Sequence, residues 1–267
     1  MSEPLFGVSD SNIDWCEEDY AVTPLVAEFW NTLSSLPMVF MGICLCVASA
    51  RSRPNERRFL FAGASLAVVG AGSTLFHATM RRWAQAADEL PMLYACAVLF
   101  YLLMDVPSEK QPKALRFDRT NLAIFCVVYA VGMTLLYACF PENYWIFLVG
   151  YSLLLYSVTG LSGANLYFRW KELEHTRVRK LFLASMVSYF SGVALWLIER
   201  RFCEVVRPLQ LHAWWHVGAG VGTFLWINFA VALRAHLTRR HVTEHKLLGL
   251  LPLLHMHVAH EHKKRLD

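Results

Sequence analysis

Six stretches of this chain run 18 to 25 residues without a single Lys, Arg, Asp or Glu: 29–50, 59–80, 122–140, 144–168, 181–198 and 211–233. An α-helix needs about 20 residues to cross the hydrocarbon of a bilayer, within a range of roughly 17–25. Few other folds have a use for so many uncharged runs of that one length. A seventh run, 90–104, is short alone and reaches spanning length only from about Ala84, which carries Asp88 and Glu89 into its first turns. The expectation is an all-α polytopic membrane protein with seven spans. Composition agrees: 56% of residues are hydrophobic and 17% charged, against roughly 45–50% and about 25% in soluble domains.

Cytosolic loops of membrane proteins carry an excess of Lys and Arg. With seven spans the connections fall into two alternating sets. One set, with the C-terminal tail, holds 20 of the 25 basic residues; the other holds Arg81, Arg82, Arg200, Arg201 and Arg207. The N-terminus is therefore expected on the lumenal or extracellular side and the C-terminus in the cytosol. The net charge of +4 reflects this bias and gives no reason to expect nucleic acid. The N-terminus is acidic where a signal peptide would be basic, so the first span is read as its own insertion signal. The division is a lumenal acidic segment at 1–28, a seven-helix body at 29–233 and a basic, His-rich cytosolic tail at 234–267. Within the tail, the apolar stretch 247–254 is too short to span and is expected at the membrane surface or without order.

Ionisable residues inside spans are expensive and mark function. On this topology His77, Asp88, Glu89, His212 and His216 all lie near the lumenal ends of their spans. His212 and His216 are spaced i, i+4, so both imidazoles face one side of a helix. With His77 they make three nitrogen ligands, leaving the fourth tetrahedral position of a zinc ion open, as catalytic sites require. Against this stands hydrogen bonding of each histidine to a neighbouring helix. Asp88 is placed to take a proton from an activated water, or to sit as a charge at a helix N-terminus. Ser73 shares a face with His77, although beside Gly70 and Gly72 it also suits a close helix contact. His241, His245, His255, His257, His260 and His262 resemble ligands too, but lie in the tail away from any carboxylate-bearing cavity and are assigned no role.

Five of the seven cysteines fall within spans. Cys16 and Cys203 do not, and both belong to the oxidising side, which predicts a disulfide between the N-terminal segment and the loop entering span seven. The acidic run from Asp14 through Asp19, with Glu28, has oxygen donors of the kind calcium uses. Its spacing is not that of an EF-hand, and by spacing alone it reads as a solvated stretch.

Taken together, Asp14-Trp15-Cys16-Glu17-Glu18, residues 27–32, Ser73-x-x-x-His77, Asp88-Glu89-Leu90-Pro91-Met92, Phe202-Cys203-Glu204 and His212-Ala-Trp-Trp-His216 resemble the alkaline ceramidases, most of all the alkaline ceramidase 3 (phytoceramidase) branch. The resemblance implies hydrolysis of the N-acyl amide of ceramides to a sphingoid base and a fatty acid. It implies zinc on His77, His212 and His216 with Ser73 and Asp88 acting beside it, and calcium on Asp14, Glu17, Asp19, Glu28 and the carbonyl of Trp15. It also implies an endoplasmic reticulum or Golgi protein with its site towards the lumen. Asp19 stands where relatives often carry asparagine, Glu199 is given no role, and the chain beyond about Leu233 is not covered. The alternatives are a seven-helix receptor of the progestin/adiponectin-receptor type with a structural zinc, and a metal or proton transporter. The apolar cytosolic halves of the spans speak against the transporter.

Overall fold

The computed structural model describes residues 3–52, 56–105, 118–173 and 176–257. Arg53, the basic loop residues Lys110, Lys113 and Arg116, His260, His262 and the terminal run from Lys263 lie outside them.

Among the described residues seven helices are long and apolar enough to cross a membrane: α1 (Phe29–Arg51), α2 (Arg57–Thr79), α3 (Arg82–Met104), α4 (Arg119–Cys139), α5 (Tyr144–Phe168), α7 (Arg177–Val206) and α8 (Leu211–Leu237). The remaining helix, α6 (Trp170–Leu173), is a single turn. The third span begins at Arg82, so Asp88 and Glu89 do lie within a helix. Pro37 and Pro91 are accommodated inside α1 and α3.

α8 is the central helix. Its second half buries a continuous run from Phe224 to Ala235, packed against Met38, Met41 and Leu45 of α1 and Leu66 of α2. A helix apolar all round belongs in the middle of a bundle. α4 is the converse: of its residues only Leu122 is buried, while Phe125, Val127, Val128, Val131 and Leu135 face outward, a surface suited to lipid. Between α2 and α3 the approach is close. A Cβ added at Gly72 would collide with the carbonyl of Ala87, so glycine there lets α2 set Ser73 beside the Asp88 turn of α3.

Two features depart from the sequence reading. Within the tail, residues 241–257 are ordered rather than unstructured. Strands β1 (His241–Leu247) and β2 (Leu251–His257) pair antiparallel, and Leu254 and Met256 are buried against the bundle. The chain is mostly helical rather than all helical. The cause is local: Val242 and Thr243 favour strand, and Leu248 and Gly249 both take the positive φ that tight hairpin turns use. Asn228 and Ser52 side chains accept hydrogen bonds from the backbone N–H of Leu254 and Met256 at 2.9 and 3.1 Å, fastening the strand to α8 and to the end of α1. Cys203, expected in a loop, lies in the last turn of α7, just past a break in helical geometry at Phe202.

Near the same end as the hairpin, Glu56 pairs with Arg58, Arg234 and Arg240, and Asp105 pairs with Arg58 and Arg119. At the opposite end the irregular residues 3–28 fold across the bundle. The N–H groups of Ala27 and Glu28 donate to the carbonyls of Ala78 and His77 at 3.0 and 2.9 Å.

Candidate metal centre

His77 from the last turn of α2 meets His212 and His216 from the first two turns of α8. Their ring centroids lie 4.8–5.2 Å from His77, all three side chains are buried, and one ligand atom from each falls within 4.8 Å of the others. Among the described residues no other group of three His, Cys, Asp or Glu converges in this way.

Two of the three imidazoles are oriented from behind, while His212 Nδ1 is buried without a hydrogen-bond partner among the described residues. His77 Nδ1 lies 2.5 Å from Glu28 Oε2. His216 Nδ1 lies 3.1 Å from the carbonyl of Asn31, with the hydroxyls of Ser34 and Ser35 at 2.9 and 3.2 Å. These contacts occupy the Nδ1 atoms and leave Nε2 of both rings for an ion, the arrangement in which a carboxylate or carbonyl fixes the tautomer of a metal-binding histidine. Trp15 covers His212 with its ring, centroid to centroid 4.2 Å.

The position of His212 depends on α7. Gln210, at the N-cap of α8, makes no side-chain cap. Glu199 does the job instead, its Oε2 accepting from the His212 N–H at 2.8 Å while the residue is only 3% exposed. The sequence reading gave Glu199 no role, and its spacing carries no signal, because the helix it caps is not its own. Glu17 acts likewise for α1, accepting from the N–H groups of Trp30 and Asn31 at 2.7 and 2.9 Å.

Ser73 and Asp88 line a cavity of about 190 Å³ that opens from His212 and His216 between α3, α5, α7 and α8. The Ser73 hydroxyl lies 2.8 Å from that of Ser35, joining it to the group behind His216. The cavity walls are otherwise largely apolar and aromatic, Met92, Leu99, Phe147 and Trp215 among them.

The acidic segment lies behind the triad. Glu28 is fully buried; its Oε2 contacts His77 and Asn31, and its Oε1 has no hydrogen-bond partner. Asp19 Oδ1 is buried and unpartnered as well. Burial drives the Glu28 carboxyl well above its usual range, and the charges of Asp19 and Asp14 add to it. Burial and then Asp14 raise Asp19. Burial lifts Glu17 to about 7, against the opposing pull of its backbone donors. Buried oxygens without donors, in mutually repelling carboxylates, fit a hard cation. Asp14 is exposed. Cys16 and Cys203 form the expected disulfide, with Cα atoms 5.5 Å apart, tying this segment to the end of α7 four residues from Glu199.

The sequence matches the family model described as Ceramidase over residues 7–251. The chain belongs to the ceramidase family. The match runs into the hairpin, so the family resemblance extends past Leu233, where the sequence reading ended it. The chain is similar to alkaline ceramidase 3 of Mus musculus, 30% identical with 96% of both chains covered. It is also similar to an alkaline ceramidase of Saccharomyces cerevisiae, 27% identical over 84% of this chain and 76% of that one. Against an alkaline ceramidase of Arabidopsis thaliana, identity is 26% over 93% of both. Ceramidase relatives give the receptor alternative no support.

Proposed function

We propose that this ceramidase-family chain is a zinc-dependent amidohydrolase that cleaves the N-acyl bond of ceramides, releasing a sphingoid base and a fatty acid. The observation that carries the reading is the buried triad, with Nε2 of His77 and His216 left open by the contacts on Nδ1, at the head of an apolar cavity that also holds a carboxylate and a hydroxyl. Three histidines leave a coordination position open, which is the form of a catalytic rather than a structural zinc site. Zinc held there would supply Lewis-acid chemistry, activating water and polarising an amide carbonyl near neutral pH.

The chain's own residues do the rest. Asp88 takes the proton of the attacking water and returns it to the departing amine, which leaves neutral. Ser73 turns its hydroxyl to the oxygen on which negative charge develops, a bond strongest in the transition state. The cavity accepts the acyl chain from the surrounding lipid. Asp14, Glu17, Asp19, Glu28 and the Trp15 carbonyl hold calcium, which satisfies the buried oxygens and steadies the segment that orients His77. Residues 1–28 act as a lumenal cover, 29–233 as the hydrolase body and 234–267 as a cytosolic tail. The 20-to-5 division of basic residues supports that orientation, with the endoplasmic reticulum or Golgi as the compartment.

The test is the purified protein in detergent, assayed for fatty acid released from ceramide with and without a zinc chelator, alongside metal analysis. Chelator-sensitive release and about one zinc per chain, lost when any of the three histidines becomes alanine, are expected. Tightly held zinc with no hydrolysis of any ceramide would overturn the reading in favour of a receptor-like role.

A further inference from the structure

Glu89 follows Asp88 on α3, lines the same cavity and is 3% exposed. The mechanism does not use it. Its Oε1 accepts from Gln85 Nε2 at 2.9 Å, and Gln85 Oε1 in turn accepts from the Asn12 N–H at 2.9 Å. Gln85 is itself buried, and the Tyr137 phenol stands alongside the Glu89 carboxylate. The carboxylate is thus held by a relay running from the N-terminal segment through Gln85. Its Oε2 is buried and short of a hydrogen bond of good geometry among the described residues, with the Tyr137 phenol as a looser donor to the carboxylate. An acceptor left in that state is costly, and this one is locked in place beside the residue assigned to proton transfer.

A substrate supplies what Oε2 lacks. The nitrogen of a ceramide sits on a carbon flanked by two others, each bearing a hydroxyl. When the amide reaches the triad, those hydroxyls must enter an apolar cavity within a few bonds of Asp88. Without a partner each would carry its own desolvation penalty. Most other polar groups near the triad are engaged: Nδ1 of His77 and His216 with Glu28 and Asn31, Asp88 with the moving proton, and Ser73 with Ser35 and the oxyanion; His212 Nδ1 is unpartnered as well. Trp15, also a cavity residue, has a buried indole N–H with no acceptor. One orphan acceptor and one orphan donor complement hydroxyls, which both donate and accept.

We infer that Glu89 is a specificity residue that accepts a hydrogen bond from a hydroxyl flanking the amide nitrogen of the substrate, with the Trp15 indole as the complementary donor. The inference rests on the ceramidase reading above. It makes the site selective for N-acyl amino alcohols over amides that share the acyl chain but lack the hydroxyls.

The experiment measures kcat/KM of the zinc-loaded protein on a ceramide and on two analogues, one lacking the C1 hydroxyl and one lacking the C3 hydroxyl. Hydrogen bonds to charged groups are worth about 1.5–3 kcal/mol, a factor of roughly 10–100. Wild-type protein is expected to favour the full ceramide by that factor over at least one analogue, and Glu89→Ala to collapse the preference to within about threefold. Glu89→Gln keeps a carbonyl acceptor without the charge and should give an intermediate preference; it carries the test if the alanine variant does not insert. Equal losses on all three substrates, or an unchanged preference in both variants, would overturn the proposal and leave Glu89 as an anchor for Gln85. Wild-type protein inactive on every substrate despite bound zinc would instead sink the ceramidase reading, and this inference with it.

Discussion

Removing the Glu199 side chain should loosen the zinc site without touching a zinc ligand. Glu199 Oε2 lies 2.8 Å from the backbone N–H of His212, and the first turn of α8 has no cap from Gln210. A hydrogen bond to a charged acceptor contributes about 1.5–3 kcal/mol, and loss of an N-cap costs roughly 0.5–2. In Glu199→Ala that free energy falls on the turn bearing His212, whose ring would then sample positions outside the triad. If the cost is drawn wholly from ordering His212, it is a roughly 10–100-fold loss of zinc affinity at about 1.4 kcal/mol per tenfold. Competition with a graded series of chelators measures that affinity, and activity at saturating zinc supplies the second readout. Activity should recover substantially with excess zinc, because the reacting groups are intact. A variant with wild-type zinc affinity would refute the reasoning. So would one in which affinity falls while zinc at any concentration restores nothing, since that would place Glu199 in the chemistry.

Asp88→Asn should retain zinc and lose activity by roughly 10²–10⁴-fold, the range of general acid–base catalysis; wild-type turnover would move the proton role elsewhere. Ser73→Ala should cost less and keep its zinc, whereas zinc loss on metal analysis would make the Ser73–Ser35 contact its main contribution. Non-reducing mass spectrometry of protein from its native membrane should find Cys16 joined to Cys203, and both thiols free would refute the bond. In the hairpin, burial lowers the pKa of His255 from its ordinary 6.5, helped by His245, His257 and Arg51 nearby and opposed by the Ala48 carbonyl. A lowered histidine pKa means stability present above about 6.5 and lost as pH falls below it. Protection factors for hydrogen exchange over 241–257 should therefore fall between pH 7.5 and 5.5, and His255→Gln should remove most of that dependence.

The seven spans were legible because length and absence of charge are properties of single segments. The triad was legible because i, i+4 spacing and a common depth need no knowledge of side-chain contacts. Glu199 and Glu17 were not, since each caps the following helix from 13 or 14 residues upstream, outside any local capping motif, and nothing local distinguishes such a carboxylate from a solvated one. Ser34 and Ser35 were missed for the same reason: their task is fixed by where α8 places His216. The hairpin was obscured by the run Leu247–Leu254, which attracts attention as an apolar block. Its strand character lies in the β-branched pair Val242-Thr243 and in the positive φ of the turn residues Leu248-Gly249.

The disulfide joins residues 187 positions apart, and that separation sets a clock on biogenesis. At about 5–20 residues per second, Cys16 waits roughly 10–40 s after its own synthesis before Cys203 is made, and His77 waits nearly as long for α8. Until the last helix enters the membrane the chain has one histidine of the triad and an uncovered cavity. On the proposed function, hydrolytic competence therefore arrives at the end of synthesis, all at once, and a product cut short anywhere before residue 216 should be inert.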